Sequence, residues 1–205
     1  MPSATVHLKI AYMAKDAFGI KNDTQFYMGC IAPDAVNLRG QASEKERYAV
    51  HVRSKNYDEW KENIKAFYYE QKDSFNGDTD YLKGYVFHLL TDIAWDEVVQ
   101  PNLFAFLQSK GYDKTQFKEQ KWKELFRFNT QLATQDWYSE VKDKLRKAVC
   151  YGMLGIPVEQ VEQYRDYVVS DYEKDKMLDE KPEFLNKTHL LATSIRTALA
   201  FEKFV

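Results

Sequence analysis

The sequence predicts an all-α protein, and three observations carry that expectation. Apolar residues recur at spacings of three and four along nearly the whole chain, the pattern of helices with one buried stripe. No segment shows a strong run of β-branched alternation. The 8 Gly and 5 Pro fall mostly between the periodic segments. With 205 residues, 44% of them hydrophobic and 29% charged, the chain is expected to form one helical domain over residues 1–205.

The first helix, about residues 5–18, carries Val6, His7, Ile10, Ala11, Ala14, Ala17 and Phe18 on one stripe. Residues 26–36, FYMGCIAPDAV, form an apolar run broken at Pro33. Proline disfavours helix at Ala32 and predicts a turn or a fresh helix start, leaving Asp34 at the break. In SEKERYAVHVRS, Ser43 with Glu46 three residues later makes a capping box for a short helix leading to His51. NYDEWKENIKAFYYEQKDSF puts Tyr57, Trp60, Ile64, Phe67 and Tyr68 on one face of an amphipathic helix. NGDTD, at 76–80, is a turn with an acidic helix entry. KGYVFHLLTDIAWD, at 83–96, reads as the most buried helix. Beyond Trp95, helices are expected around 97–109, 114–135, 136–151, 157–173 and 187–203.

Composition narrows the functional classes. The net charge of −2 says nothing of partners, and no basic excess or Lys/Arg block marks a nucleic-acid surface. Cys30 and Cys150 are far apart and lack metal-ligand spacing, so both are expected to be buried thiols. The amino-terminal stretch lacks the features of a secretory signal, and no apolar run approaches the ~20 residues needed to span a bilayer. A cytoplasmic protein without a transmembrane segment is expected.

Chemistry enters with the histidines. Three of the four, His7, His51 and His88, lie in apolar segments, and His189 is the fourth. Any one of them alone reads first as a hydrogen-bonded core residue, and Asp34 alone as a turn residue beside Pro33. His88 and Asp92 differ, because residues four apart project from one face of a helix whose surroundings are apolar. An ionised carboxylate there needs a positive partner or takes up a proton. A divalent cation resolves the difficulty by stabilising Asp92 and accepting a ring nitrogen of His88. Gly84, one turn earlier on the same face, leaves room either for a ligand or for a second helix.

The order PSATVHLKIA, FYMGCIAPDAV, YAVHVRS, WKENIKAFYYE and YLKGYVFHLLTDIAW resembles the bacterial zinc-dependent phospholipase C family and its smaller, uncharacterised relatives. The resemblance covers residues 1–96. It implies an all-α fold shared with single-strand-specific zinc nucleases, and phosphodiester hydrolysis. Matched one at a time, Asp34, His51, His88 and Asp92 surround one zinc, with Asp92 bridging to a second metal held by His7. In the family the mature amino terminus also holds that metal; here loss of Met1 would leave Pro2 five residues before His7. The family's third zinc needs two further histidines and a glutamate. This chain offers only His189, followed four residues later by Thr193, so His189 is expected to be a core residue or one that supports a ligand from behind.

One or two zinc ions are therefore expected, with manganese, iron or nickel also compatible with the donor set. Such a metal lowers the pKa of water from 15.7 towards about 7 and polarises a phosphoryl oxygen. Asp34 is the candidate general base, and the substrate a small phosphoester or phospholipid. Arg47, Arg53 and Lys55 flank His51 as candidate phosphate holders, surface solvation being the competing role. The alternative function is a non-catalytic helical module that keeps metal for stability. A purely structural protein with core histidines would bind none.

Overall fold

The computed structural model describes residues 1–38, 40 and 42–204. Among the described residues eleven α-helices follow one another: α1 Ala4–Ala14, α2 Asp23–Gly29, α3 Glu44–Val50, α4 Tyr57–Gln71, α5 Thr79–Val98, α6 Gln100–Ser109, α7 Phe117–Ala133, α8 Asp136–Leu145, α9 Val158–Ser170, α10 Tyr172–Lys176 and α11 Lys187–Phe201. Two 3-10 turns, Lys15–Phe18 and Ala32–Asn37, lie beside α1 and α2. Among the described residues there is no strand, only an isolated bridge between Met153 and Ile156. None of the described helices is long and apolar enough to cross a membrane.

Local chemistry explains most boundaries. Ser3 caps α1 by accepting from the Val6 amide, and Asn22, Asn56, Asp78 and Asn186 do the same for α2, α4, α5 and α11. The capping box of Ser43 and Glu46 is present in full. The first helix is shorter than its periodicity predicts: it tightens to 3-10 at Lys15 and stops at Gly19, whose φ of +59° reverses the chain. The expected helix over 136–151 ends at Leu145. Tertiary bonds draw the backbone away after that point. The Gln25 amide, oriented with its nitrogen toward the Val149 carbonyl, meets both backbone groups of Val149 at 2.8 and 2.9 Å. Tyr81 donates its hydroxyl to the Tyr151 carbonyl at 2.7 Å.

The centre of the molecule is α5, buried on nearly every side from Asp80 to Asp96. It packs most extensively against α2 and α11. The approach of α2 depends on two glycines. A Cβ at Gly84 would sit 2.1 Å from the Phe26 carbonyl oxygen, and one at Gly29 would sit 2.1 Å from that of Tyr81. Of the two uses of Gly84, the packing of a second helix is the one the fold adopts. One buried cluster then joins α1, α2, α4, α5, α7, α8, α9 and α11.

Candidate metal centre

Four separate elements deliver five buried side chains to one point. His7 comes from α1, Asp34 from the 3-10 turn after α2, His51 from the carboxyl end of α3, and His88 with Asp92 from α5. Asp34 is 8% exposed, and the other four are at most 1% exposed. Their ligating atoms form two overlapping groups suited to a metal ion, His7 with His88 and Asp92, and Asp34 with His51 and His88.

Backbone carbonyls orient two of the imidazoles. His88 Nδ1 lies 2.8 Å from the Cys30 carbonyl oxygen, and His51 Nδ1 lies 2.8 Å from that of Arg47. A carbonyl only accepts, so each Nδ1 carries a proton and, in the neutral ring, each Nε2 offers a lone pair. Those two Nε2 atoms stand 3.3 Å apart. Around them, Asp92 Oδ2 is 3.7 Å from each, and Asp34 Oδ1 is 3.7 Å from His51 Nε2. Four acceptors thus converge without a donor among them. A tetrahedral cation with arms of about 2.0–2.2 Å has edges of roughly 3.3–3.6 Å, so these separations are of the size that a metal ion could draw together.

The other oxygen of Asp92 faces a second position. Asp92 Oδ1 is 3.4 Å from His7 Nε2, and the His7 ring stacks on His88 with centroids 3.8 Å apart. Neither ring nitrogen of His7 and neither oxygen of Asp92 has a hydrogen-bond partner among the described residues. Because His88 has only Nε2 free, the two groups must share or divide it. Asp92 is the group that reaches both positions.

Electrostatics favour a cation in this pit. Burial, reinforced by neighbouring His7, pushes the His88 pKa down to about 3. Burial alone would raise the Asp92 carboxyl, but the His7 contact and the charges of His88 and His7 outweigh it and hold it well below the usual carboxylate range. Asp34 is likewise raised by burial and lowered further by its contact with His51, ending below its ordinary value. The Asn37 amide also donates to Asp34 Oδ1 at 3.2 Å.

His51 owes its place to an unusual turn. It ends α3, and the next residue, Val52, takes a φ of +41°. That left-handed position commonly holds glycine, and a β-branched residue there is strained. The Arg53 amide bonding the Tyr48 carbonyl at 2.9 Å, and Asn63 holding the Val52 carbonyl at 3.2 Å, keep it in place. Trp60 Nε1 donates to the His51 carbonyl at 2.8 Å.

His189 lies outside both groups, near the start of α11, with its ring stacked on Phe184 at 4.4 Å. Of the cations flanking His51, Arg47 and Lys55 are exposed, whereas Arg53 bonds Asp96 at 2.6 Å. Cys30 and Cys150 are buried free thiols. Sequence reasoning missed Asp96, although its spacing of four from Asp92 in the same apolar run was a usable signal. The orienting carbonyls of Cys30 and Arg47 carry no side-chain signal at all. No protein-family model, curated protein or solved structure matches the chain.

Proposed function

We propose that this protein is a metal-dependent phosphoester hydrolase holding one or two divalent cations, zinc foremost, on His7, Asp34, His51, His88 and Asp92. One observation carries the metal: the bare Nε2 atoms of His51 and His88, 3.3 Å apart and ringed by carboxylate oxygens with no donor to separate them. Leaving such acceptors unpaired in the interior costs several kcal/mol by order of magnitude. A cation bound there supplies Lewis acidity toward a phosphoryl oxygen and acidifies water, whose pKa falls from 15.7 to about 7. Asp34 is suited to move the proton, since it alone of the five has appreciable exposure and its carboxylate is held ionised. The phosphoester class is supported by the ordered resemblance of residues 1–96 to the zinc-dependent phospholipases C.

Burial favours a second reading, a metal kept for stability. All five groups are buried, and a metal enclosed by protein ligands is the habit of structural zinc sites. Two surface hollows, one lined by Tyr48, Arg53 and Asn63 and the other by Val36, Glu46 and Gln160, include none of the five ligands. The second position has fewer donors, His7, one oxygen of Asp92 and a share of His88 Nε2, so a cation there would have coordination positions to fill from outside the five.

Elemental analysis of protein purified without chelator should find about one or two equivalents of divalent metal. Less than about a tenth of an equivalent under zinc-replete conditions would sink both readings. Turnover of p-nitrophenyl phosphate or bis(p-nitrophenyl) phosphate, abolished by chelator and restored by metal, separates them. Full metal with no turnover of either ester leaves the stability reading.

A further inference from the structure

The last helix, α11, carries its polarity reversed. Its buried face holds Thr193, Ser194 and Thr197 beside Leu190 and Phe201, and the helix packs on α5 and α1. Its outer face holds Leu191, Ile195 and Leu199, which are 51%, 51% and 60% exposed. Residues four apart lie in one row along a helix, so these three make a continuous apolar stripe. A surface helix ordinarily turns such a row inward and its hydroxyls to water. The charges at the two ends of the stripe are reversed as well. Lys187 is the first residue of α11 and Glu202 its C-cap, and both are exposed. A cation at the positive end of a helix and an anion at its negative end each oppose the dipole. Among the described residues the one ion pair of α11 is that of Arg196 with Glu97 at 3.0 Å, and Lys187 and Glu202 have none. Lys187 also lies near Lys9 of α1, whose pKa is lowered by burial and then by the Lys187 charge.

We propose that the outer face of α11 is the interface of a homodimer in which two copies of this helix pack antiparallel about Ile195. A two-fold interface must be self-complementary. Reversal about Ile195 sets Leu191 of one copy against Leu199 of the other and covers the stripe from end to end. It also brings Lys187 of one copy to the carboxyl end of the other helix, next to Glu202. Each charge, unfavourable on its own helix, then meets both the opposite charge and the opposite end of a dipole. An anionic lipid surface matches this face less well, because it attracts Lys187 and repels Glu202. The contact is small. A helix of 15 residues is roughly 22 Å long, so one such face per copy buries less than the ~1,600 Å² of a standard interface, and a dissociable, micromolar dimer is expected. None of the five metal ligands takes part, so the dimer stands apart from the proposed hydrolase.

Sedimentation velocity over about 1–300 μM protein tests the interface. The parent should pass from monomer to dimer across that range. Ile195→Glu should weaken the dimer at least about tenfold while melting as the dilute parent does, and Leu191→Gln serves if that variant folds poorly. Lys187→Glu and Glu202→Lys each turn two attractive pairs into repulsive ones and should each lose about tenfold in dimer affinity. Both substitutions suit the dipole of the isolated helix, so neither should lower the melting temperature. Mixed together, the two single variants should form a heterodimer as tight as the parent dimer, because each supplies the charge that the other lacks. A parent that stays monomeric throughout, whether or not it binds phosphatidylglycerol vesicles, overturns the proposal. Self-association unchanged in both Ile195→Glu and Leu191→Gln overturns it too, as does a mixture of the charge variants that fails to associate.

Discussion

At the scale of single residues the centre depends on lone pairs facing lone pairs. Asp92 faces three imidazoles through two oxygens, and neither oxygen has a hydrogen-bond donor among the described residues. Asp92→Asn nearly preserves volume while removing the charge that balances a cation. The expected outcome is loss of metal and of any turnover. The variant should melt near the chelated parent and respond little to further chelator, because the ligand-linked stability is already gone. A core without metal predicts the opposite. There the new amide would donate to a bare ring nitrogen and leave stability within about 1 kcal/mol of the parent, or improve it. Metal content and chelator-sensitive melting of the two proteins decide between these outcomes.

At the scale of elements, the metal geometry depends on how closely α2 approaches α5. Gly29 and Gly84 let the two backbones meet, and the carbonyl that orients His88 belongs to Cys30, the residue directly after Gly29. Gly84→Ala would place a methyl group 2.1 Å from the Phe26 carbonyl oxygen, a backbone atom that cannot rotate away. Overpacking a tight core costs roughly 1–3 kcal/mol, and a clash with backbone belongs at or above the top of that range. Denaturant unfolding should therefore show a large loss of stability. Metal affinity should fall with it, because displacing α2 moves the Cys30 carbonyl off the His88 ring. Unchanged stability and unchanged metal binding in Gly84→Ala would contradict this coupling.

At the scale of the whole molecule, burying these groups makes stability depend on pH. His88 titrates near 3 in the folded chain against about 6.5 when unfolded. Between those values the unfolded chain binds a proton that the folded chain refuses, so stability rises with pH and falls on acidification. The slope reaches about 1.36 kcal/mol per pH unit for that one proton. Asp92 and Asp34, both lowered on folding, add stability above their unfolded values that is lost as pH falls through their folded ones. All three act in the same direction. Melting temperatures recorded in chelator from pH 8 to pH 4 should decline steadily below about pH 6.5, with metal release removed as a cause. A flat or rising profile would mean that His88 is not held neutral in the interior.

The sequence by itself determined the helical class, the Ser43 capping box and the identity of the buried helix, because periodicity and capping are local chemistry. It also singled out His88 and Asp92 as a pair too polar for its surroundings, while His7, Asp34 and His51 joined them through the ordered resemblance. Helix ends were less legible: 146–151 leaves the helix because Gln25 and Tyr81, both distant in sequence, claim its backbone. Only the tertiary structure decided that Gly84 serves packing, that main-chain carbonyls set the histidine tautomers, and that Arg53 pairs with Asp96. The reason is physical. A side chain announces its chemistry wherever it stands, whereas a carbonyl is the same at every position and acquires a role only when folding aims it at a partner.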